Sequence, residues 1–80
     1  MAGNTYGKSV VEVVKFLLHH PNVWISDDEI IKISPQFGER IIDELIAYHV
    51  VESSKDGLYF GNDCIDALKL YLRGHGIKID

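Results

Sequence analysis

The sequence predicts an α+β domain, mostly helical. Apolar residues recur at helical spacing in four separate segments. Ser34-Pro35 leaves almost no connection between the second and third of these, and short β-rich runs flank a Lys55-Asp56-Gly57 turn. The expected order is helix, short strand, helix, helix, β-hairpin and an additional C-terminal helix.

Composition bounds the rest. Eighty residues, 46% hydrophobic and 25% charged, describe one globular unit with room for a single modest core. A chain this short buries at best roughly two-thirds of its extended surface, so self-association is a natural source of extra stability. The single cysteine, Cys64, can form no internal disulfide, which fits a reducing compartment. No apolar run approaches the roughly 20 residues of a membrane span, and Met1-Ala2-Gly3-Asn4-Thr5-Tyr6 lacks the basic start and apolar stretch of a signal peptide. A cytoplasmic protein with no membrane partner is expected. The formal charge of −4, from 12 acids against 8 lysines and arginines, opposes a phosphate-dominated partner, although a local basic stripe can coexist with it.

Residues 1–8, small, polar and glycine-containing, read as a flexible leader. Ser9 and Glu12 form a capping-box spacing that opens a helix bearing Val10, Val13, Val14, Phe16 and Leu17, stopped at His20-Pro21. Val23-Trp24-Ile25 suits a small strand. Ser26-Asp27-Asp28-Glu29 supplies a second capping box, with acids where a helix dipole favours them, and a short helix follows through Ile33.

Ser34 then caps a helix with Pro35 at its first position, spanning residues 35–49. Phe37, Ile41, Ile42, Leu45, Ile46 and Tyr48 form its core stripe, and Gln36, Glu39, Arg40, Asp43, Glu44 and Ala47 form a face left for a partner. Residues 50–52 and 58–60 pair as a hairpin around Ser53-Ser54-Lys55-Asp56-Gly57. Asn62 or Asp63 caps a last helix over residues 63–73, closed by Gly74. Its apolar surface (Cys64, Ile65, Ala67, Leu68, Tyr71, Leu72, with Leu70 outside the stripe) is wide enough to suggest more than one contact. Residues 74–80 form a short tail with strand-like alternation.

This order over residues 9–73 resembles the winged-helix members of the helix-turn-helix superfamily, with an added C-terminal helix. The resemblance rests on element order and the tight Ser34-Pro35 junction. It implies that the helix of residues 35–49 occupies the place where relatives read the major groove, and that the hairpin tip is a wing. Residue by residue, it makes Gln36, Glu39, Arg40, Asp43, Ser53, Ser54 and Lys55 the candidate DNA-facing positions. Arg40 suits guanine and Gln36 adenine, but Glu39, Asp43 and Glu44 would repel the DNA backbone. Further cations could come only from Lys8, Lys32 or a second copy of the chain.

Other residues favour structural roles. His19 and His20 point about 100° apart on a helix, so they suit its C-terminal dipole better than one metal ion. Asp27, Asp28 and Glu29 serve a helix start rather than magnesium. Cys64 falls in an apolar stripe as a packed thiol, and Trp24 is expected as a core plug rather than a base-stacking platform. One of Tyr59 and Phe60 should face the core and the other solvent. With no nucleophile-base spacing and no glycine-rich phosphate loop, neither an enzyme nor a cofactor is expected.

Two functions remain open. One is a small DNA-binding protein, a transcriptional regulator acting as a homodimer through the last helix (Cys64, Ala67, Leu68, Leu70, Tyr71). The other, motivated by the charge balance, is a protein-protein interaction or assembly module that does not bind DNA.

Overall fold

The computed structural model describes residues 5–77; residues 1–4 of the expected leader and 78–80 of the expected tail lie outside the described residues. The chain is α+β and mostly helical, with α1 (Thr5–His19), β1 (Trp24–Ile25), α2 (Asp27–Ile33), α3 (Gly38–Ala47), β2 (Glu52–Ser54), β3 (Gly57–Tyr59) and α4 (Ile65–Gly74), the last preceded by a 3-10 turn, Asn62–Cys64. The strands form one antiparallel sheet in the order β1-β3-β2. This layout is compatible with a winged helix.

α1 begins at Thr5, so Ser9 is not its cap and residues 5–8 are helix rather than leader. The reason is Tyr6, which extends the Val10, Val13, Val14, Leu17 stripe by one turn and packs edge-on against Phe37 with ring centroids 5.1 Å apart. Ser9 instead faces Ser34, whose hydroxyl donates to it at 3.0 Å. At the other end, His20 places Nδ1 3.0 Å from the Phe16 carbonyl oxygen and so serves the helix terminus.

Ser26 caps α2 as its sequence predicts, accepting the Asp28 N–H at 3.2 Å. The corner that follows is built on Ser34, which is only 5% exposed yet satisfied throughout. Its N–H donates to Ile30, its carbonyl accepts the Gly38 N–H at 2.7 Å, and its hydroxyl oxygen accepts the Phe37 N–H at 3.2 Å. Pro35-Gln36-Phe37 is therefore a turn, and α3 starts at Gly38 instead of Pro35. Gly38 lets the helices approach closely, because a Cβ there would lie 2.9 Å from the Ile31 Cα.

α3 ends two residues before the expected His49 in a Schellman motif: His49 takes φ +61°, its N–H donates to Ile46, and the Val50 N–H reaches Leu45. α4 ends the same way, with Gly76 at φ +70° and the Gly76 and Ile77 N–H groups on Arg73 and Leu72. Its terminating glycine is thus Gly76, while Gly74 is the last helical residue.

The hairpin is shifted two residues from expectation on its first strand. Val50 and Val51 are core, and Glu52, Ser53 and Ser54 pair with Tyr59, Leu58 and Gly57. Lys55-Asp56 forms the loop, and Gly57 at φ +114° passes so close to β1 that a Cβ would lie 2.1 Å from the Ile25 carbonyl oxygen. Beneath the sheet, Ile25, Leu58 and Phe60 join Val10, Val13, Val14, Leu17, Ile30, Ile41, Leu45, Leu68 and Tyr71 in a single core.

Candidate recognition surface on α3 and the hairpin

Periodicity divides α3 into two faces with two exceptions, Glu44 and Tyr48; Tyr48, expected in the core stripe, is the C-cap residue where the helix ends and is 49% exposed. Glu39, Arg40 and Asp43 are exposed, as is Gln36 in the preceding turn, whereas Glu44 turns inward and keeps only 22% of its side chain in solvent. The Tyr71 hydroxyl donates to Glu44 Oε1 at 2.8 Å, and His75 Nε2 lies 3.1 Å from the same oxygen. Burial alone pushes the Glu44 carboxyl up, but the neighbouring Tyr6 and Tyr71 hydroxyls and the His75 ring prevail and hold its pKa below the ordinary glutamate value.

Arg40 leans toward the same place while 69% of its side chain stays in solvent. Its Nε sits 3.6 Å from Glu44 Oε2, and its guanidinium carbon stands 4.7 Å from the Tyr6 ring centroid. The Tyr6 hydroxyl is buried without a hydrogen-bond partner among the described residues, and burial together with the nearby Glu44 carboxylate pushes its pKa up to about 12. Tyr71 is raised further, by burial first and then by Glu44. Tyr6, Arg40, Glu44, Tyr71 and His75 therefore form a polar and aromatic hub joining α1, α3 and α4. Tyr6, expected in a leader, and Glu44, expected on a partner face, are instead joined in this hub. The signal for Tyr6 was its spacing of four from Val10.

With Arg40 so engaged, the charges that α3 projects without an ion pair among the described residues are Glu39 and Asp43. Ser53, Ser54 and Lys55 are exposed on the hairpin. A shallow groove of about 250 Å³ lies between the hairpin tip and the start of α2, lined by Ser26, Asp27, Ser54, Lys55, Asp56 and Gly57, so its one lysine is matched by two carboxylates. Lys8, Lys32, Arg40 and Lys55 stand on four different elements: α1, α2, α3 and the hairpin loop.

Of the last-helix candidates, Leu68 and Tyr71 belong to the core, and Cys64 and Ala67 are half-buried against it. Leu70 is 60% exposed. The wide apolar stripe is used inward because α4 contributes to one core and packs its end against the Glu44 hub. Trp24 is likewise not a core plug: it is 44% exposed and tilts against Tyr59, ring centroids 5.2 Å apart, while Phe60 is the buried member of its pair. Ile25 takes the inward position on β1, which turns its neighbour Trp24 outward.

Among the described residues no three His, Cys, Asp or Glu side chains converge as a metal site, and no helix is long and apolar enough to cross a membrane. No family model matches the chain, nor does any curated protein or solved structure.

Proposed function

We propose that the chain is a winged-helix protein-interaction module that meets a protein partner through the exposed face of α3 and does not bind duplex DNA. The observation that carries this reading is the pair of exposed carboxylates on α3, Glu39 and Asp43, neither in an ion pair among the described residues. A recognition helix reads guanine with a free guanidinium and positions itself by neutralising phosphates. Here α3 carries one exposed guanidinium, Arg40, which already leans on Tyr6 and Glu44, and beside it Glu39 and Asp43 face outward with no cation paired to them among the described residues. Against a phosphate backbone these carboxylates are repulsive; against a basic protein surface they are complementary.

The test is fluorescence anisotropy of labelled mixed-sequence duplex DNA at low salt. No saturable, salt-dependent binding is expected. Submillimolar affinity that weakens steeply with salt would overturn the proposal. In parallel, a protein that copurifies stoichiometrically should be lost from a Glu39→Gln, Asp43→Gln double variant; retention of every partner removes α3 as the contact.

The competing reading, a homodimeric DNA-binding regulator, draws support from the element order, which resembles that in which winged-helix proteins present a helix and a hairpin to DNA. It requires Arg40 to leave Glu44 for a base edge and Gln36, Ser53, Ser54 and Lys55 to offset the repulsion of Glu39 and Asp43, and the anisotropy titration decides between the two.

A further inference from the structure

From the outer face of the sheet we infer a second interaction surface, one that takes an arginine-bearing segment of a protein partner. Residues opposite one another in an antiparallel sheet share a face, and the register aligns Trp24, Tyr59 and Glu52 in one row across all three strands. The next row, Ile25 and Leu58, faces the core, so the first row faces solvent. Trp24 and its neighbour Val23 are both exposed, and Trp24 and Tyr59 incline at 53° to form an open aromatic corner.

Carboxylates stand at this corner. Glu52 ends the row on β2 and is exposed. Beyond β3, a side chain on Gly61 would touch both the Tyr59 ring, at 3.3 Å, and Asp63 Oδ1, at 2.8 Å, so the ring and the Asp63 carboxylate both stand next to Gly61. Neither Glu52 nor Asp63 is in an ion pair among the described residues. Aromatic faces attract cations through their quadrupole, best on tryptophan, and a guanidinium can stack flat on a ring while its N–H groups meet a carboxylate. A nucleic acid strand could also stack on the rings, but its phosphates would then lie beside Glu52 and Asp63. The charge complementarity therefore selects a basic peptide.

This surface is on the sheet and does not rest on the α3 reading. Trp24 is the only tryptophan of the chain, so its emission reports directly on the site. The probe is a capped Gly-Arg-Gly-Arg-Gly-Arg peptide, with a citrulline counterpart of the same shape and no charge. Saturable quenching or shift of Trp24 emission by the arginine peptide is expected, with affinity lowered roughly tenfold by citrulline or by Glu52→Gln. The Glu39→Gln, Asp43→Gln double variant should bind the peptide unchanged. A labelled arginine peptide followed by anisotropy gives an independent readout, in which Trp24→Ala should lose binding while circular dichroism stays native. Equal response to the arginine and citrulline peptides, no response to either, or a response to oligothymidylate alone would overturn the inference.

Discussion

The Tyr71 hydroxyl donates a 2.8 Å hydrogen bond to Glu44 Oε1, and through it the last helix is fastened to α3. The same carboxylate oxygen lies 3.1 Å from His75 Nε2, so one side chain of α3 gathers two partners from the end of α4. Hydrogen bonds to a carboxylate away from bulk water are stronger than neutral ones, and losing the donor leaves the desolvated charge behind. Tyr71→Phe keeps the ring contacts with Tyr48 and His75 and removes only the hydroxyl. It should cost about 1.5–3 kcal/mol, each kcal/mol being worth about 4–8 °C in Tm for a chain of this size, by calorimetry. An unchanged Tm would mean that the bond contributes nothing net.

The Glu44 pKa gives the fold a signed dependence on pH. Because the folded value lies below the ordinary glutamate value, the unfolded chain binds more protons in the acidic range between the two. The stabilisation is complete above the unfolded pKa and is lost as pH falls through the folded one. Glu44→Gln should therefore lower stability at neutral pH and flatten the decline of Tm with acid. A variant whose acid profile parallels that of the parent would place the sensitivity on other carboxylates.

Ser34 makes the corner between α2 and α3 with one hydroxyl that donates to Ser9 and accepts from the Phe37 N–H. Ser34→Ala removes both bonds in a nearly buried setting and should cost about 1–2 kcal/mol. Ser9→Ala removes only the first and should cost less. The difference, read from urea midpoints at constant m, isolates the cap.

Much of this corner was legible beforehand. Ser34-Pro35 and Ser26 with its three following acids mark helix boundaries through chemistry that acts within a turn. The inward faces of α1 and α3 likewise follow from a 3.6-residue period. What periodicity cannot supply is direction where an element is too short to have a period. A two-residue strand gave no phase for Trp24, and its outward placement follows from Ile25 being needed beneath Leu58. Nor can local pattern reveal that Glu44, polar and on the nominally outer side of α3, would find Tyr71 and His75, which are 27 and 31 residues away along the chain. The start of α1 was missed because its glycine and polar residues suggest fraying, while the Tyr6 contact with Phe37 that holds it is tertiary.

Two left-handed positions predict opposite outcomes. His49 holds φ +61° at the end of α3, a conformation that costs an L-residue roughly 1–2 kcal/mol and glycine little. His49→Gly should stabilise the protein by about 0.5–1 kcal/mol after the extra unfolded-state entropy of glycine is subtracted. Gly57→Ala combines φ +114° with a Cβ 2.1 Å from the Ile25 carbonyl oxygen, so β1 and β3 must separate. A loss of at least about 2 kcal/mol is expected. The hairpin resonances should shift together in an NMR spectrum, because β3 is the central strand of the sheet.

A stable two-fold interface buries roughly 800 Å² per partner around an apolar centre. On α4, Leu68, Tyr71 and Leu72 are already consumed by the core, and Leu70, at 60% exposure, is the large apolar side chain left facing solvent there. One leucine among Asp66, Lys69 and Arg73, all exposed, is too little to form such a centre. Light scattering after size exclusion at tens of micromolar should therefore give the mass of one chain, about 9 kDa. If a dimer is found instead, Leu70→Lys distinguishes the cases: dissociation would restore pairing through α4, whereas persistence would move the interface elsewhere, with Tyr48 after α3 and Val23 and Trp24 on the sheet side the next exposed apolar residues to substitute.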